Sequence, residues 1–229
     1  MDRSAAHMVD VVLQMSYDPN QPRDDHGRWG EGGAKPIGQW TGGNPRKMSL
    51  ESFDALTSQN LKAPLTSEEI SSLSRYRNGG FEFNNKLRGD HPSTYSAYSN
   101  VDEDIARLDS AFKKASLREP VDVYRAIEKS FQQFMSGHDE FIDKGYLSTS
   151  LRPDVLRHFD SEMTPGERRG YATIKIAVPR GFPAIFLGPS ATGLPLEYQS
   201  DRDWSDRETL LNRSTRLKRV GELAWRAVE

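Results

Sequence analysis

The chain of 229 residues contains no cysteine. That absence excludes a disulfide framework, a thiol nucleophile and a thiolate metal site, and it is compatible with either redox environment. Long apolar runs are absent too, since none approaches the roughly 20 residues that a membrane span needs. The formal net charge is only −2, so the chain has no general attraction to nucleic acids or anionic membranes. These absences predict a soluble protein without a membrane partner.

Three common site motifs are also missing. A Rossmann domain holds a dinucleotide with a Gly-x-Gly-x-x-Gly turn between a strand and a helix, and no such turn occurs here. The five histidines never fall four residues apart with an acidic residue between them, as a zinc-binding helix requires. A serine hydrolase would need a Gly-x-Ser-x-Gly elbow. We therefore predict no metal site and no nucleotide site of the Rossmann type.

Composition divides the chain near residue 45. The residues from Asp18 to Gly33 are rich in glycine, proline and charge, and few of them would fill a core. We predict a flexible tail or linker over residues 1–47 and one folded domain over residues 48–229. The peptide around Trp29 resembles connectors in tailed-phage head proteins, which suggests a bacterial or phage origin. A solvated linker in which Trp29 docks locally is the alternative.

Within the folded part, helical patterns come before strand patterns. Residues 66–69 read Thr-Ser-Glu-Glu, which is the pattern of a capping box, and apolar residues follow at helical spacing. A second helix is predicted from Val101 to Lys114, because its apolar residues recur every three or four positions. Strands are predicted at residues 121–125, 146–150, 172–178, 184–187, 208–211, 217–220 and 222–225. Helices followed by strands predict an α+β domain.

Three of the predicted strands carry polar residues of chemical interest. Residues two apart on a strand point to the same side, so Asp206 and Glu208 are expected to face one cleft. An earlier alternating strand ends in Arg125, and another contains the hydroxyl cluster of residues 148–150, Ser-Thr-Ser. Each of these features alone is common on protein surfaces. Their occurrence together, in this order, makes them candidates for one site.

An arginine, then Ser-Thr-Ser, then a carboxylate pair ending in glutamate resembles the mono-ADP-ribosyltransferase family. The likeness is greatest to the Rho-modifying exoenzymes and to the enzymatic components of binary actin-modifying toxins. The resemblance implies N-terminal helices followed by two packed β-sheets, with NAD bound in the cleft between the sheets. It also implies that the chain transfers ADP-ribose from NAD to a macromolecule and releases nicotinamide, without a metal.

The resemblance implies a role for each motif residue. Glu208 is the implied catalytic carboxylate, because cleavage of the nicotinamide–ribose bond builds positive charge that a carboxylate stabilises. Ser148 is implied to orient Glu208, and both are expected to contact NAD. Arg125 is implied to bind an NAD phosphate, for which a guanidinium is well suited. We include Thr149 among the NAD-binding residues, although its alternative role is to shape the strand.

Two further segments resemble NAD-binding elements of the exoenzymes. Residues 83–88 match an Ile-Asn-x-x-Leu-Arg element, which implies NAD contacts for Asn84 and Arg88. Residues 151–169 correspond to a loop that holds phosphate and nicotinamide. There Phe159 is expected to stack on nicotinamide, with a place in the core as its alternative. Either Arg168 or Arg169 is expected to bind a phosphate.

The acceptor side of the site departs from the family pattern. Family members place Glu or Gln two residues before the catalytic Glu, and Glu accompanies arginine acceptors, whereas this chain has Asp206. We assign Asp206 a catalytic role in pairing with an arginine acceptor and removing its proton. A protein acceptor is favoured, and RNA or DNA is the alternative. The resemblance further suggests action in a target or host cytoplasm and an immunity protein as a partner, and the phage-like peptide around Trp29 suggests association with a virion.

Two other functions remain open at this stage. In an NAD glycohydrolase, water replaces the acceptor, and nicotinamide is released without transfer of ADP-ribose. In a phage head-associated structural domain, the fold is kept and the chemistry is lost. The presence of Arg125, Ser148 and Glu208 argues against the structural alternative.

Overall fold

A computed structural model describes residues 50–89, 100–155, 170–193 and 207–228. The elements in chain order are α1 (Leu50–Gln59), α2 (Ser67–Arg88), α3 (Val101–Lys114), β1 (Val121–Glu128), α4 (Lys129–Ser136), β2 (Glu140–Ile142), β3 (Leu147–Ser150), β4 (Tyr171–Val178), β5 (Ala184–Phe186), α5 (Pro189–Thr192), β6 (Glu208–Leu211), β7 (Arg216–Arg219) and β8 (Ala224–Val228). The three longest helices precede all the strands, which confirms the α+β prediction. No helix of these residues is long and apolar enough to cross a membrane. The predicted tail lies outside them.

The strands form one mixed sheet in the order β2-β7-β8-β4-β1-β3-β6-β5. The expectation of two separate sheets is not confirmed, because the hydrogen-bonded ladder is continuous. Its two halves are nevertheless joined narrowly. Strands β1 and β4 pair from Val121↔Val178 to Glu128↔Tyr171, whereas the register of β1 with β3 rests on the single pair Tyr124↔Ser150.

Two hydrophobic clusters fix the position of β3 and β6. The larger cluster combines residues from both halves of the sheet, such as Val123, Trp225 and Leu211. The second cluster packs helices α2 and α3 against the other side of β6 and includes Leu108 and Leu210. The neighbours Leu210 and Leu211 enter opposite clusters because successive strand side chains point to opposite faces. Strands β3 and β6 are thus covered on both faces.

The helix predictions agree with the structure over much of their length. The capping box at Thr66 is confirmed: its backbone N–H donates to Glu69 over 2.7 Å, and the Glu69 N–H donates to its hydroxyl over 3.3 Å. Helix α3 is confirmed over Val101–Lys114. Helix α2 runs on to Arg88 through a break at Gly79, whose φ and ψ are −151° and 34°. It thereby incorporates the segment that was predicted to follow the first helix.

Strand predictions differ from the structure mainly at their ends. Strand β6 is found where it was predicted, and β1 extends to Glu128. Four described elements are not predicted: α1, α4, α5 and β2. Strand β2 has three residues and α5 has four, which is too short for either periodicity to be recognised.

Candidate functional site

Strands β3 and β6 bring Ser148 and Glu208 together. The strands are antiparallel, with Ser150 opposite Glu208 and Ser148 opposite Leu210. Leu210 packs against the helices, Ser148 lies opposite it, and Glu208 lies two residues before it on the same face of β6. The side chains of Ser148 and Glu208 therefore both point toward the helices. The Ser148 hydroxyl donates a hydrogen bond of 2.6 Å to Oε1 of Glu208. A hydrogen bond to a carboxylate of this length is of the strong, charge-assisted kind.

Arg125 holds the same serine from the other half of the sheet. Its Nη1 donates to the Ser148 carbonyl over 2.7 Å, across the narrow junction between β1 and β3. Burial lowers the pKa of Arg125, while the neighbouring carboxylate of Asp143 opposes that shift. An arginine nevertheless keeps its charge. Ser148 is therefore bonded through its carbonyl to the partly buried guanidinium of Arg125 and through its hydroxyl to Glu208.

Thr149 lies on the opposite face of β3 from Ser148. Its side chain is buried, and its hydroxyl donates to the Thr209 carbonyl over 2.5 Å. That bond joins the two strands next to the Ser148–Glu208 pair. The NAD contact expected for Thr149 stays a prediction, and within the described residues its hydroxyl serves the strand pairing.

The C-terminal half of α2 lies against the turn that enters β3. Arg88 donates to both carboxylate oxygens of Asp143, over 3.0 Å to Oδ1 and 2.7 Å to Oδ2. Asn84 bonds to the backbone of Tyr146, accepting from its N–H over 2.8 Å and donating to its C=O over 3.2 Å. The structure thus places both residues beside the candidate site. Their roles in binding NAD stay predictions.

Two residues of this arrangement were missed from the sequence. The Asp143 carboxylate accepts from the Gly145 N–H over 2.9 Å, which is the local turn bond typical of Asp-x-Gly. The Asp-x-Gly pattern at residues 143–145, just before β3, was therefore a signal in the sequence that could have identified Asp143. The other is Tyr76, a buried phenol. Burial raises the pKa of Tyr76 well above its ordinary value, and the nearby charge of Glu208 raises it further.

Four predicted site residues, Asp206, Phe159, Arg168 and Arg169, lie outside the described residues. Among the residues that are described, no group of three or more His, Asp or Glu side chains is arranged to hold a metal ion.

Solved structures of several toxins have a similar fold. The Clostridium limosum C3 exoenzyme is 17% identical, with a TM-score of 0.52 over 79% of this chain and 92% of that chain. An ADP-ribosyltransferase from Clostridium botulinum is 14% identical, with a TM-score of 0.53 over 84% and 98%. The Vibrio splendidus toxin Vis, in complex with agmatine, is 18% identical, with a TM-score of 0.53 over 79% and 83%. Identities this low show the fold alone.

The family follows from the sequence. No curated protein sequence matches the chain. The sequence profile of the ADP-ribosyltransferase exoenzyme family matches residues 50–221, a range that contains Arg125, Ser148 and Glu208. The proposed phage connector precedes this range, and the comparisons do not support it. The chain therefore belongs to the ADP-ribosyltransferase exoenzyme family and is an NAD-dependent mono-ADP-ribosyltransferase.

Proposed function

We propose that Glu208, Ser148 and Arg125 form the centre that cleaves NAD, and that Asp206 serves a protein acceptor. The observation that supports this proposal most strongly is that Ser148 forms hydrogen bonds to both other residues. Its hydroxyl lies 2.6 Å from the Glu208 carboxylate, and its carbonyl accepts from Arg125 over 2.7 Å. One serine thus couples the candidate carboxylate to the candidate phosphate-binding cation across the junction of the sheet.

The reaction requires a fixed negative charge beside the ribose. The bond between ribose C1′ and the nicotinamide nitrogen breaks, its electron pair leaves with nicotinamide, and positive charge develops on the sugar. The Glu208 carboxylate stabilises that charge. A carboxylate held by Ser148 before the reaction needs little rearrangement when the charge appears, and such preorganisation is the main source of electrostatic catalysis.

Arg125 supplies the positive counterpart for the NAD diphosphate. Its guanidinium is partly buried, and a charged hydrogen bond from such a site is stronger than one at the surface. Within the described residues, the Ser148 carbonyl is its only hydrogen-bond partner. The remaining N–H groups are suited to phosphate oxygens, which a planar guanidinium binds in pairs.

The proposed acceptor is a protein side chain, with arginine favoured. The new bond joins C1′ to a guanidinium nitrogen, and the proton that this nitrogen loses passes to Asp206. The Vibrio splendidus toxin was crystallised with agmatine, a small guanidinium compound, which supports this acceptor chemistry. The proposal places the reaction in a target or host cytoplasm. An immunity protein and virion association have no support in the comparisons and are not part of it.

The test of the NAD-cleaving centre is Glu208→Gln, which keeps the shape and removes the charge. Loss of one such electrostatic contribution typically lowers the rate by about 10²–10³-fold. Nicotinamide release should fall by that amount, while thermal unfolding changes little. Glu222→Gln, at an exposed turn, is the matched control. Nicotinamide release within about threefold of the parent rate, far less than such a loss, would reject Glu208 as the catalytic carboxylate.

The acceptor role is tested by Asp206→Ala, with nicotinamide release and ADP-ribosyl incorporation measured side by side. A general base contributes about 10²–10⁴-fold, so labelling of lysate proteins should be lost while slow NAD hydrolysis persists. Equal loss of both activities would place Asp206 in the NAD site. Parental nicotinamide release without labelling of protein or nucleic acid by the parent enzyme would instead select the glycohydrolase.

A further inference from the structure

The side chain of Asn84 pairs with the backbone of Tyr146 as a neighbouring strand would. Its Oδ1 accepts from the Tyr146 N–H over 2.8 Å, and its Nδ2 donates to the Tyr146 C=O over 3.2 Å. A carboxamide has the same donor and acceptor as a peptide group. Asn84 therefore adds one pair of ladder-like bonds immediately before β3 begins at Leu147.

A third bond engages the rest of the carboxamide. Nδ2 also donates to the Tyr76 hydroxyl over 3.1 Å, and that hydroxyl donates to the Tyr146 C=O over 3.4 Å. Both N–H bonds of the amide and one lone pair of its oxygen are therefore used. Asn84 itself is buried, with 8% of its surface exposed. The three groups form a closed network around the backbone N–H and C=O of Tyr146, and they leave Asn84 little capacity for a ligand.

Two glycines, Gly145 and Gly79, make the geometry of this network possible. A Cβ built on Gly145 would lie 2.6 Å from the Asn84 Oδ1, a distance that real side chains do not adopt, so the close approach requires glycine. Tyr76 and Asn84 are eight residues apart, which on a straight helix means about 12 Å along the axis. The break in α2 at Gly79 lies between them and allows both side chains to reach the same carbonyl.

The network acts on the strand that carries Ser148. Tyr146 and Ser148 lie two residues apart, so their side chains share the face of the strand that meets α2. A shift of the Tyr146 backbone therefore shifts the Ser148 hydroxyl relative to Glu208. The interaction between Glu208 and the Tyr76 phenol places the network within electrostatic reach of the site.

We propose that Asn84 is a positioning residue that sets the Ser148–Glu208 geometry through the backbone of Tyr146, and not a ligand of NAD. The inference rests on the proposed function of Glu208. It replaces the NAD contact expected from the sequence with an indirect role. The two roles differ in what they change. A ligand contributes to NAD affinity, whereas a positioning residue contributes to the rate of cleavage once NAD is bound.

The test compares Asn84→Ala with Asn84→Asp, which keeps the shape and loses the donor to the Tyr146 carbonyl. For each variant, kcat for nicotinamide release and the Kd for NAD are measured. Both variants should lower kcat by about 10- to 100-fold, the scale of a misplacement near 1 Å, with Kd within about twofold of the parent. Gly145→Ala should reproduce this loss, because it displaces the carboxamide without removing a group that could bind NAD.

Two matched controls separate positioning from general weakening of the fold. Asn85→Ala removes the adjacent asparagine of the same helix and should leave kcat and Kd unchanged. Ser72→Ala removes a buried hydrogen bond of 2.7 Å to Asp104 and should lower thermal stability without lowering kcat at 20–25 °C.

Three outcomes overturn the proposal. A raised Kd with parental kcat would make Asn84 an NAD ligand, and parental values of both would remove any role. If Ser72→Ala, compared at equal loss of stability, lowers kcat as much as Asn84→Ala does, the role of Asn84 is purely structural. Glu208→Gln is assayed alongside, so that failure of the catalytic assignment is recognised separately from failure of the positioning role.

Discussion

Two arginines of helix α2 each form an ion pair with a buried aspartate of another element. Asp104 of α3 accepts from Arg75 Nε over 2.8 Å and from Ser72 over 2.7 Å. Asp143, in the turn before β3, accepts from Arg88 and from the Gly145 N–H. The two carboxylate side chains are 3% and 6% exposed. The chemistry of the two pairs is therefore nearly the same.

The two pairs differ in the element that each one fixes. The pair of Arg75 and Asp104 joins α2 to α3, and Asp104 also lies near Arg107, which is in α3 like Asp104 itself. Asp143 fixes the entrance to the strand of Ser148, and its charge opposes the effect of burial on the Arg125 pKa. A buried ion pair between helices is expected to affect stability alone. The same pair at the entrance of a strand in the site is expected to affect stability and activity together.

The largest effect is expected from removing the arginine of either pair. Arg75→Ala and Arg88→Ala each leave a buried carboxylate without its main partner, and each should lower the free energy of unfolding by about 3 kcal/mol. Only Arg88→Ala should also reduce nicotinamide release, measured at a temperature where both variants are folded. If Arg75→Ala lowers nicotinamide release equally, the distinction between the two pairs is wrong.

Arg125→Ala is expected to have the next largest effect and to act mainly on NAD binding. Loss of hydrogen bonds to a charged group should weaken binding by about 2–3 kcal/mol. Stability should also fall, by about 1 kcal/mol, because Arg125 bonds to the Ser148 carbonyl across the sheet junction. Titration calorimetry with NAD checks the first effect. Arg118→Ala, at an exposed position, is the control, and unchanged affinity would move the phosphate role to another arginine.

A smaller, pH-dependent effect is expected for Asp104→Asn. Burial alone raises the pKa of Asp104, but hydrogen bonds from Arg75 and Ser72 outweigh burial, so the pKa lies below its ordinary value of 3.8. The stabilisation by the ionised form is thus complete above the ordinary value and is lost as the pH falls toward the folded-state pKa. The variant should lose about 1–3 kcal/mol at pH 7.

Urea unfolding at pH 7 and at about pH 3, below the ordinary pKa of an aspartate, measures that dependence. The difference between the variant and the parent should shrink at the lower pH, because there Asp104 binds a proton in the unfolded chain more readily than in the folded protein. A difference that is equal at both pH values would show that ionisation of Asp104 does not contribute to stability.

The sequence predicted most of the regular elements because their signals are local. The capping box at Thr66, the apolar spacing of α3 and the alternation of β6 each lie within a few residues. The passage of α2 through Gly79 and Gly80 was not predicted, because glycine pairs usually end helices. Here the helix continues past the break at Gly79, and Tyr76 and Asn84 on either side of it form a hydrogen bond that local signals do not contain.

The candidate site was predicted as a set of residues, but not as a network. The order of Arg125, Ser148 and Glu208 indicated the family, and the family resemblance implied that Ser148 orients Glu208. Strand alternation indicated only that Asp206 and Glu208 would face one cleft. The two bonds of Asn84 to Tyr146 depend on how α2 packs against the strand entrance. Sequence spacing cannot supply that geometry, since the partners are 62 residues apart.

The smallest effect is expected from deleting residues 1–45. Their composition offers little to a core, and neither aspartate pair involves a residue before Ser72. The truncated chain should unfold cooperatively near the parent temperature and retain nicotinamide release. Calorimetry and the release assay check both expectations, with the full chain as the control. A fall in Tm of more than about 4 °C, which corresponds to more than about 1 kcal/mol in a domain of this size, would show that the segment packs against the domain. Part of the stabilisation of the domain that is assigned to the Arg75–Asp104 pair would then belong to contacts of residues 1–45.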